Sequence, residues 1–201
     1  PSTGTRALLQ ASVDEEIEQV FGSLPHNPAL DAVLDPVRGR GEEVRDHLRM
    51  LTQIGQVGRM IRTHGDFHLG QALWTREEDW LILDFEGEPA RSVPERRRKT
   101  SPLRDVAGML RSFAYAASAV KIQRGIEPPA DWEERCRAEF LDGYLATIEP
   151  TLLPPGRDQV ERLLTVFELE KAAYELRYEL QNRPDWVSIP VAGIVRMLEG
   201  E

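Results

Sequence analysis

The sequence has a single cysteine and no apolar stretch long enough to cross a membrane. Cys136 is the only thiol in 201 residues, so an internal disulfide is excluded and a reducing, cytoplasmic setting is expected. It lies in the charged segment DWEERCRAEF, which is typical of a helix surface and not of a nucleophile. The opening residues, PSTGTRALL, carry no secretory-signal pattern and are consistent with a piece of a longer protein.

Basic residues are also scarce. The chain has 25 Lys and Arg against 34 Asp and Glu, giving a net charge of −9. We therefore expect no nucleic-acid partner and no attraction to an anionic membrane. The local exception is Arg96–Lys99, which indicates either a solvated loop, the commoner fate of such runs, or a phosphate clamp. With 41% hydrophobic and 29% charged residues, the composition is that of a soluble globular protein.

Hydrophobic periodicity predicts a mainly helical chain. Apolar residues recur at spacings of three and four along most of the sequence, and Gly or Pro ends most of these segments. A Pro-rich connection is predicted over residues 24–36, and an irregular stretch over residues 87–102. The predicted helices cover residues 12–22 (with Ser12 or Asp14 near the cap), 41–62, 105–124 (entered through Ser101-Pro102), 131–148, 157–182 and 189–198.

The exception to the helical pattern lies between Arg62 and Pro89. Two short apolar runs, residues 71–74 and 80–85, flank a charged turn at residues 75–79. This arrangement predicts a β-hairpin. A hairpin would bring Asp66, which precedes the first run, and Asp84, near the end of the second, to the same edge of the fold.

Two carboxylates and an amide in this order fit the chemistry of phosphoryl transfer. That reaction needs a carboxylate to accept the proton of an attacking hydroxyl, and Mg²⁺ between the phosphates. Magnesium prefers oxygen ligands, and one or two protein carboxylates suffice because phosphates and water complete its shell. Asp66 is the candidate base, and Gln71 and Asp84 are the candidate ligands.

The same residues carry a resemblance to a known family. His64-Gly65-Asp66, the amide at position 71 and the later Asp84-Phe85 resemble the aminoglycoside-phosphotransferase-like branch of the protein-kinase fold. Within that branch the chain looks like the maltokinases, some of which are fused to trehalose synthase. The four segments that carry this likeness are HGDFHLGQ, LILDFEGEP, SPLRDVAGMLRSFAYAA and LEKAAYELRYELQNRPDWVSIP.

The resemblance implies a function and a fold. It implies ATP-dependent phosphorylation of maltose to maltose 1-phosphate in the cytoplasm, with Mg²⁺ as cofactor and ATP as co-substrate. The implied fold is mainly α with a small β-hairpin, the C-terminal lobe of a protein-kinase-like structure. A trehalose synthase domain is an implied partner.

The resemblance also implies roles for the residues of the hairpin region. Asp66 would be the catalytic base for the anomeric hydroxyl. Asp84 would bind the metal together with Gln71, which stands where most kinases carry Asn. Glu86 replaces the Gly of Asp-Phe-Gly and would be a third oxygen ligand or a support for the others. His68 would hydrogen-bond the sugar or pack within the loop.

Residues outside the hairpin complete the expected site. Lys171 and Tyr174, on one face of the last long helix together with Tyr178, are predicted to contact the sugar, although Lys171 could instead pair with a glutamate three or four residues away. His64 is expected to brace the catalytic loop. Asp105 is expected to cap its own helix and to tie back to that loop.

One part of a kinase is missing from the sequence. ATP is normally covered by a lobe with a Gly-rich strand turn and a strand lysine, and neither precedes Asp66. Residues 1–201 are therefore predicted to form the C-terminal catalytic and acceptor-binding lobe, without the N-terminal ATP-clamping lobe and inactive alone. Two alternatives stay open: a kinase for another sugar or amino sugar such as glucosamine, and a noncatalytic kinase-like lobe attached to trehalose synthase.

Overall fold

The computed structural model describes residues 11, 14–51, 56–89 and 91–200. It divides into two compact units, one formed by Pro1–Gln56 with Arg157–Glu201 and the other by Val57–Gly156. The described part is mainly helical with one two-stranded antiparallel sheet, which confirms the predicted mainly α class with a small hairpin.

The regular elements follow in chain order. The helices are α1 (residues 14–21), α2 (Pro28–Leu34), α3 (Gly41–Leu51), α4 (Val93–Arg96), α5 (Leu103–Arg124), α6 (Trp132–Thr147), α7 (Arg157–Asn182) and α8 (Ser188–Glu199). The strands are β1 (Ala72–Trp74) and β2 (Trp80–Ile82), and 3₁₀ turns cover Leu69–Gln71, Pro150–Leu152 and Pro184–Trp186.

The first unit is built around α7. The apolar face of α7 includes Leu169 and Leu176, which are almost completely buried. These side chains belong to a core cluster that also contains Ile17 of α1, Leu48 of α3 and Ile194 of α8. Each buried aliphatic side chain stabilises the fold by about 1.5–3 kcal/mol. The bounds of α7 match the predicted helix 157–182, because its apolar spacing is regular over seven turns.

Helix α2 corrects the prediction of a connection over residues 24–36. Prolines inside a helix normally break it, but Pro28 occupies the first turn, where its missing N–H costs nothing. Asn27 caps the helix by accepting a 3.0 Å hydrogen bond from the Ala29 N–H. A local side-chain contact therefore starts a helix inside a Pro-rich segment.

The prediction of a helix over residues 41–62 is confirmed in its first part and wrong in its last part. Helix α3 ends at Leu51, and residues 56–60 have no regular structure. Gly58 has φ +74°, and a Cβ there would clash with the Leu152 carbonyl. Ile61 then forms an antiparallel bridge with Thr100. These long-range contacts override the helical periodicity of the segment. The predicted cap residue Ser12 lies outside the described residues.

The second unit contains the hairpin. Its register pairs Leu73 with Leu81 and Trp74 with Trp80, so the strands are shorter than the predicted runs 71–74 and 80–85. The two tryptophan rings meet edge-on with centroids 5.0 Å apart. Most large apolar side chains of the hairpin are exposed, Trp80 and Phe85 by 61% each.

Helices α4, α5 and α6 complete the second unit. Helix α4 corrects the expectation of an irregular stretch over residues 87–102; a capping box between Ser92 and Glu95 starts it. Helix α5 begins one residue later than Pro102, with the Leu103 N–H donating to the Ser101 hydroxyl at 3.3 Å. It stops before Gly125, whose φ is +63°. Phe113 of α5 packs against aromatic rings of α6.

Within the described ranges, no helix combines the length and the apolar character needed to span a membrane.

Candidate active site

The loop that carries Asp66 is held by a carboxylate from α5. The Asp105 Oδ2 accepts a 2.7 Å hydrogen bond from the His64 N–H, and its Oδ1 accepts a 2.9 Å bond from the Gly65 N–H. Burial raises the pKa of the Asp105 carboxyl above its ordinary value, while the two N–H donors offset part of that rise. The contribution of protonated Asp105 to the free energy of unfolding is therefore fully present below the ordinary pKa of aspartate. It is lost as the pH rises through the raised pKa of the folded state.

His64 connects this loop to the segment that carries Asp84. Its ring is buried, with 6% exposure. The Nδ1 accepts from the Asp66 N–H at 3.3 Å, and Nε2 lies 2.6 Å from the Leu83 carbonyl oxygen. Because a carbonyl can only accept, Nε2 carries the proton and the imidazole is in its neutral Nε2–H form. The ring also contacts Phe67 and Phe85.

Two glycines bring the loops of Asp66 and Asp84 into contact. Gly65 has φ +85° and Gly87 has φ +81°, values that only glycine adopts without strain. A Cβ on Gly65 would lie 3.2 Å from the Gly87 Cα. On its other side Gly87 faces the alkyl chain of Arg96, whose guanidinium donates to the Glu86 carbonyl at 3.3 Å. The contact of Gly65 with Gly87 was not predicted from the sequence, although the paired glycines after His64 and Glu86 were a visible signal. Arg96 was expected in a solvated loop or a phosphate clamp, and its contact with the Glu86 carbonyl was not predicted.

Asp66 lies beside His68. The Asp66 side chain is 19% exposed, and its Oδ2 is 3.9 Å from the His68 Nε2. The His68 Nδ1 accepts from the Gly70 N–H at 3.1 Å and so caps the 3₁₀ turn that follows. This contact fills one of the two ring nitrogens of His68 and directs the other toward the carboxylate. Because Nδ1 accepts a hydrogen bond, the ring proton of His68 lies on Nε2, which faces the Asp66 carboxylate.

Gln71 and Asp84 are brought together as neighbours. The Gln71 Nε2 donates to the Asp84 Oδ2 at 3.3 Å, and the Gln71 carbonyl accepts from the Leu83 N–H at 2.9 Å. Asp84 has φ +60°, a left-handed conformation that is unfavourable for most residues other than glycine but that Asp adopts more readily than most. Glu86, two residues further on, is exposed.

The donor set suits a hard cation such as Mg²⁺. Carboxylate oxygens of Asp84 and Glu86 and the amide oxygen of Gln71 are all hard ligands. A half-turn of the Gln71 amide exchanges Nε2 for Oε1 at the same point. Among the residues described, no group of three or more His, Cys, Asp or Glu is arranged for metal binding. In phosphoryl-transfer sites Mg²⁺ usually takes its remaining ligands from the bound phosphates and from water.

The residues predicted to contact a sugar from the last long helix lie in the first unit. The Lys171 Nζ is 5.0 Å from the centre of the Tyr174 ring, and the Tyr174 ring stacks on Tyr178 at 6.5 Å. The three side chains thus follow one another along α7. Glu168 and Glu175, the alternative partners considered for Lys171, are buried.

Two residues of α5 that contact the loop were not found from the sequence. The Ser112 Oγ accepts from the Leu69 N–H at 3.1 Å. Gly108 lies so close to the loop that a Cβ on it would be 2.6 Å from the Phe67 carbonyl oxygen. The only signal was a glycine inside an otherwise regular helix, where Ala is more stable by about 1 kcal/mol.

The chain is similar to known proteins both in its sequence and in its fold. No protein-family model matches the chain. A glucosamine kinase from Streptacidiphilus jiangxiensis is 28% identical over 142 residues, covering 69% of this chain and 32% of the relative. A glucosamine kinase from Mycolicibacterium smegmatis is 26% identical over 165 residues, covering 81% of this chain and 40% of the relative.

Solved structures give the same likeness at the level of the fold. A glucosamine kinase in complex with glucosamine, ADP and inorganic phosphate superposes with a TM-score of 0.79 and 25% identity, over 96% of this chain and 44% of that one. A second crystal form of glucosamine kinase gives the same TM-score at 24% identity. The chain thus resembles sugar kinases and spans less than half the length of the relatives it matches.

Proposed function

We propose that this chain is the catalytic and acceptor-binding part of an ATP-dependent sugar kinase. The observation that carries the proposal is the joining of the two candidate loops. His64 holds the Asp66 amide with one ring nitrogen and the Leu83 carbonyl, next to Asp84, with the other. A binding module has no need to keep a candidate base and a candidate metal ligand in fixed register. The similarity to glucosamine kinases supports the same reaction class.

In the proposed reaction, Asp66 accepts the proton of a sugar hydroxyl. The hydroxyl oxygen forms a bond to the γ-phosphorus of ATP as the bond from that phosphorus to the bridging oxygen breaks, and ADP leaves with that electron pair. A positioned general base of this kind contributes about 10²–10⁴-fold to the rate. The partly buried Asp105 and the neutral His64 keep the loop in place and do not exchange protons with the substrate.

Asp84, Gln71 and Glu86 are the residues proposed to hold Mg²⁺. When bound, the ion neutralises charge that develops on the phosphate oxygens. The left-handed backbone of Asp84 and the hydrogen bond from the Gln71 amide fix the position of the Asp84 carboxylate. Glu86 is the least constrained of the three because its side chain is exposed.

The favoured acceptor is an amino sugar such as glucosamine. Maltose was the first expectation from the sequence, but the relatives found are glucosamine kinases, so the alternative is the better supported. A net charge of −9 also attracts a cationic amino sugar more than a neutral disaccharide. His68, Lys171 and Tyr174 remain the proposed contacts, with Lys171 suited to a sugar hydroxyl and not to the ammonium group.

The ATP-clamping lobe is proposed to come from outside these 201 residues. The sequence has no Gly-rich strand turn followed by a strand lysine ahead of Asp66, and the relatives are more than twice as long. The exposed apolar side chains of the hairpin also support the proposal, because soluble proteins rarely leave such a cluster uncovered. Attachment to trehalose synthase stays an alternative arrangement.

The proposal is tested with a panel of acceptors and the native enzyme. ADP release is followed with glucosamine, maltose, glucose and an aminoglycoside, each at several concentrations. We expect the highest kcat/KM with glucosamine. A higher value with maltose would restore the maltokinase assignment, and no ADP release with any sugar would overturn the proposed function.

A further inference from the structure

We propose that Ser112, together with Gly108, is a positioning residue for the loop that carries Asp66. In this arrangement three residues on one face of α5 contact main-chain atoms of the loop. The inference rests on the proposed kinase function for its catalytic consequence, whereas the contact itself can be tested without any activity.

The three contacting residues lie on one face of the helix. Asp105, Gly108 and Ser112 are separated by three and four residues, so they project from the same side of α5. Asp105 accepts from the N–H groups of His64 and Gly65. Seven residues later in α5, Ser112 accepts from the N–H of Leu69. The contacts therefore fall on both sides of Asp66 and His68.

Gly108 permits the close approach in the middle of this face. A Cβ at this position would lie 2.6 Å from the Phe67 carbonyl oxygen, closer than real Cβ atoms come. The obstacle is a backbone atom, so a side chain there cannot be accommodated by a rotamer change. Glycine weakens a helix interior by about 1 kcal/mol relative to alanine, and here that loss accompanies the contact with the loop.

Ser112 is oriented to receive the Leu69 N–H. Its hydroxyl donates to the Met109 carbonyl at 2.7 Å within α5. Because this bond uses the only proton of the hydroxyl, the oxygen faces Leu69 as an acceptor. Leu69 opens the 3₁₀ turn that ends at Gln71. Ser112 thus fixes the point from which the chain passes from the candidate base to the candidate metal ligand.

The contact is tested by amide hydrogen exchange with Ser112→Ala, Ser112→Thr and Ser118→Ala. Loss of one hydrogen bond is expected to raise the exchange rate of the Leu69 amide about tenfold in Ser112→Ala. The Gly65 amide, held by Asp105, should keep its rate and serves as the internal reference. Thr retains the hydroxyl and should restore protection. Ser118 lies about 240° further around α5 and provides the matched control.

The catalytic consequence is read from steady-state kinetics of the native enzyme. Displacement of a reacting group by a fraction of an ångström to one ångström lowers kcat by about tenfold to hundredfold, with KM for sugar and for ATP nearly unchanged. Ser112→Thr should recover kcat. Unchanged kcat in Ser112→Ala, or unchanged Leu69 exchange, would overturn the proposal.

Gly108→Ala provides a second test, with Gly143→Ala as its control. Both glycines lie inside helices, but a Cβ on Gly143 meets nothing within 4 Å. Gly143→Ala should leave kcat unchanged and stabilise the protein, whereas Gly108→Ala should lower kcat through displacement of the loop. Equal kcat in the two variants would contradict the proposal. If the wild-type enzyme phosphorylates no sugar, the proposed function fails, and the Leu69 exchange data alone decide whether Ser112 holds the loop.

Discussion

His64 uses both of its ring nitrogens to hold main-chain groups, which leaves none for substrate. A protonated imidazole would have to give up the bond from the Asp66 N–H, because Nδ1 would then be a donor. The two contacts therefore place the ring proton on Nε2. This separates the two histidines of the loop: His64 is structural in its contacts, while His68 has a ring nitrogen 3.9 Å from the Asp66 carboxylate.

Asp66→Asn is expected to abolish most of the activity of the native enzyme while leaving its fold intact. The amide has nearly the same shape but cannot accept the proton of the sugar hydroxyl, so kcat should fall by about 10²–10⁴-fold. Kinetics and circular dichroism measure the two effects. Asp142→Asn, an exposed change on α6, is the control and should leave kcat unchanged. Unimpaired sugar phosphorylation by Asp66→Asn would favour a noncatalytic role for this loop.

Tyr144 makes stability sensitive to alkaline pH. Burial, with the charge of Asp105 as a second cause, raises the pKa of Tyr144 to about 12. In the unfolded chain the pKa of a tyrosine is near 10. The stability that neutral Tyr144 contributes is therefore present below pH 10 and is lost as the pH rises toward 12. After allowance for the half-buried ring, the loss is about 1 kcal/mol.

Two measurements on wild type and Tyr144→Phe check this. The tyrosinate absorbance difference between the two proteins should have its midpoint near pH 12, as the pKa of Tyr144 requires. Urea unfolding should show a gap between their free energies of unfolding that changes above pH 10. A difference spectrum centred at the pH of free tyrosine, with no change in the gap, would contradict the assignment.

At the level of elements, the hairpin turn contains a strained residue. Glu78 has φ +60°, which glycine adopts freely and other residues adopt at a cost. Glu78→Gly is expected to stabilise the protein by about 0.5 kcal/mol, after subtraction of the extra entropy that glycine brings to the unfolded chain. Urea denaturation measures the change.

The neighbouring residue provides the matched control for this turn. Glu77 is also exposed but is not among the described residues with positive φ. Glu77→Gly should therefore be neutral or destabilising, because glycine adds unfolded-state entropy without relieving strain. Equal effects of the two substitutions would show that backbone strain at Glu78 does not limit hairpin stability.

Elements with regular apolar spacing could be predicted from the sequence, and elements that depend on a cap or a distant contact could not. Helix α7 matches its predicted bounds because its periodicity is continuous. Helix α2 was missed because the Asn27 cap outweighs the breaking effect of the prolines. Helix α3 was extended too far because the backbone of Gly58 meets Leu152, almost a hundred residues away. Hydrophobic periodicity in the sequence does not indicate such a long-range contact.

The candidate site divides in the same way. Spacing along the chain placed Asp66, Gln71 and Asp84 near one edge of a hairpin, and the structure pairs Gln71 with Asp84. The contact of Gly65 with Gly87, and the role of Ser112 toward Leu69, depend on how close two backbones approach. Such approach is decided by packing in three dimensions, and small residues leave only a faint pattern in the sequence.

For the chain as a whole, the acidic net charge and the exposed apolar surface of the hairpin both bear on the binding of a nucleotide. The net charge of −9 disfavours anionic ATP unless cations offset it. The apolar hairpin, which includes Leu73 and Phe85 among its exposed residues, offers surface but no cluster of phosphate-binding groups. The sugar kinase proposed above would therefore need phosphate-binding groups other than those of the hairpin.

The isolated 201-residue chain is accordingly expected to fold and yet to be inactive as a kinase. Its dissociation constant for Mg·ATP should be larger than about 1 mM, which corresponds to a binding free energy smaller in magnitude than about 4 kcal/mol. Isothermal titration calorimetry with Mg·ATP, and ADP release in the presence of glucosamine, measure the two properties. The native enzyme, assayed in parallel, is the positive control. Robust ATP-dependent phosphorylation of glucosamine by residues 1–201 alone would contradict the expectation, since it would mean that this chain holds the γ-phosphate without a second lobe.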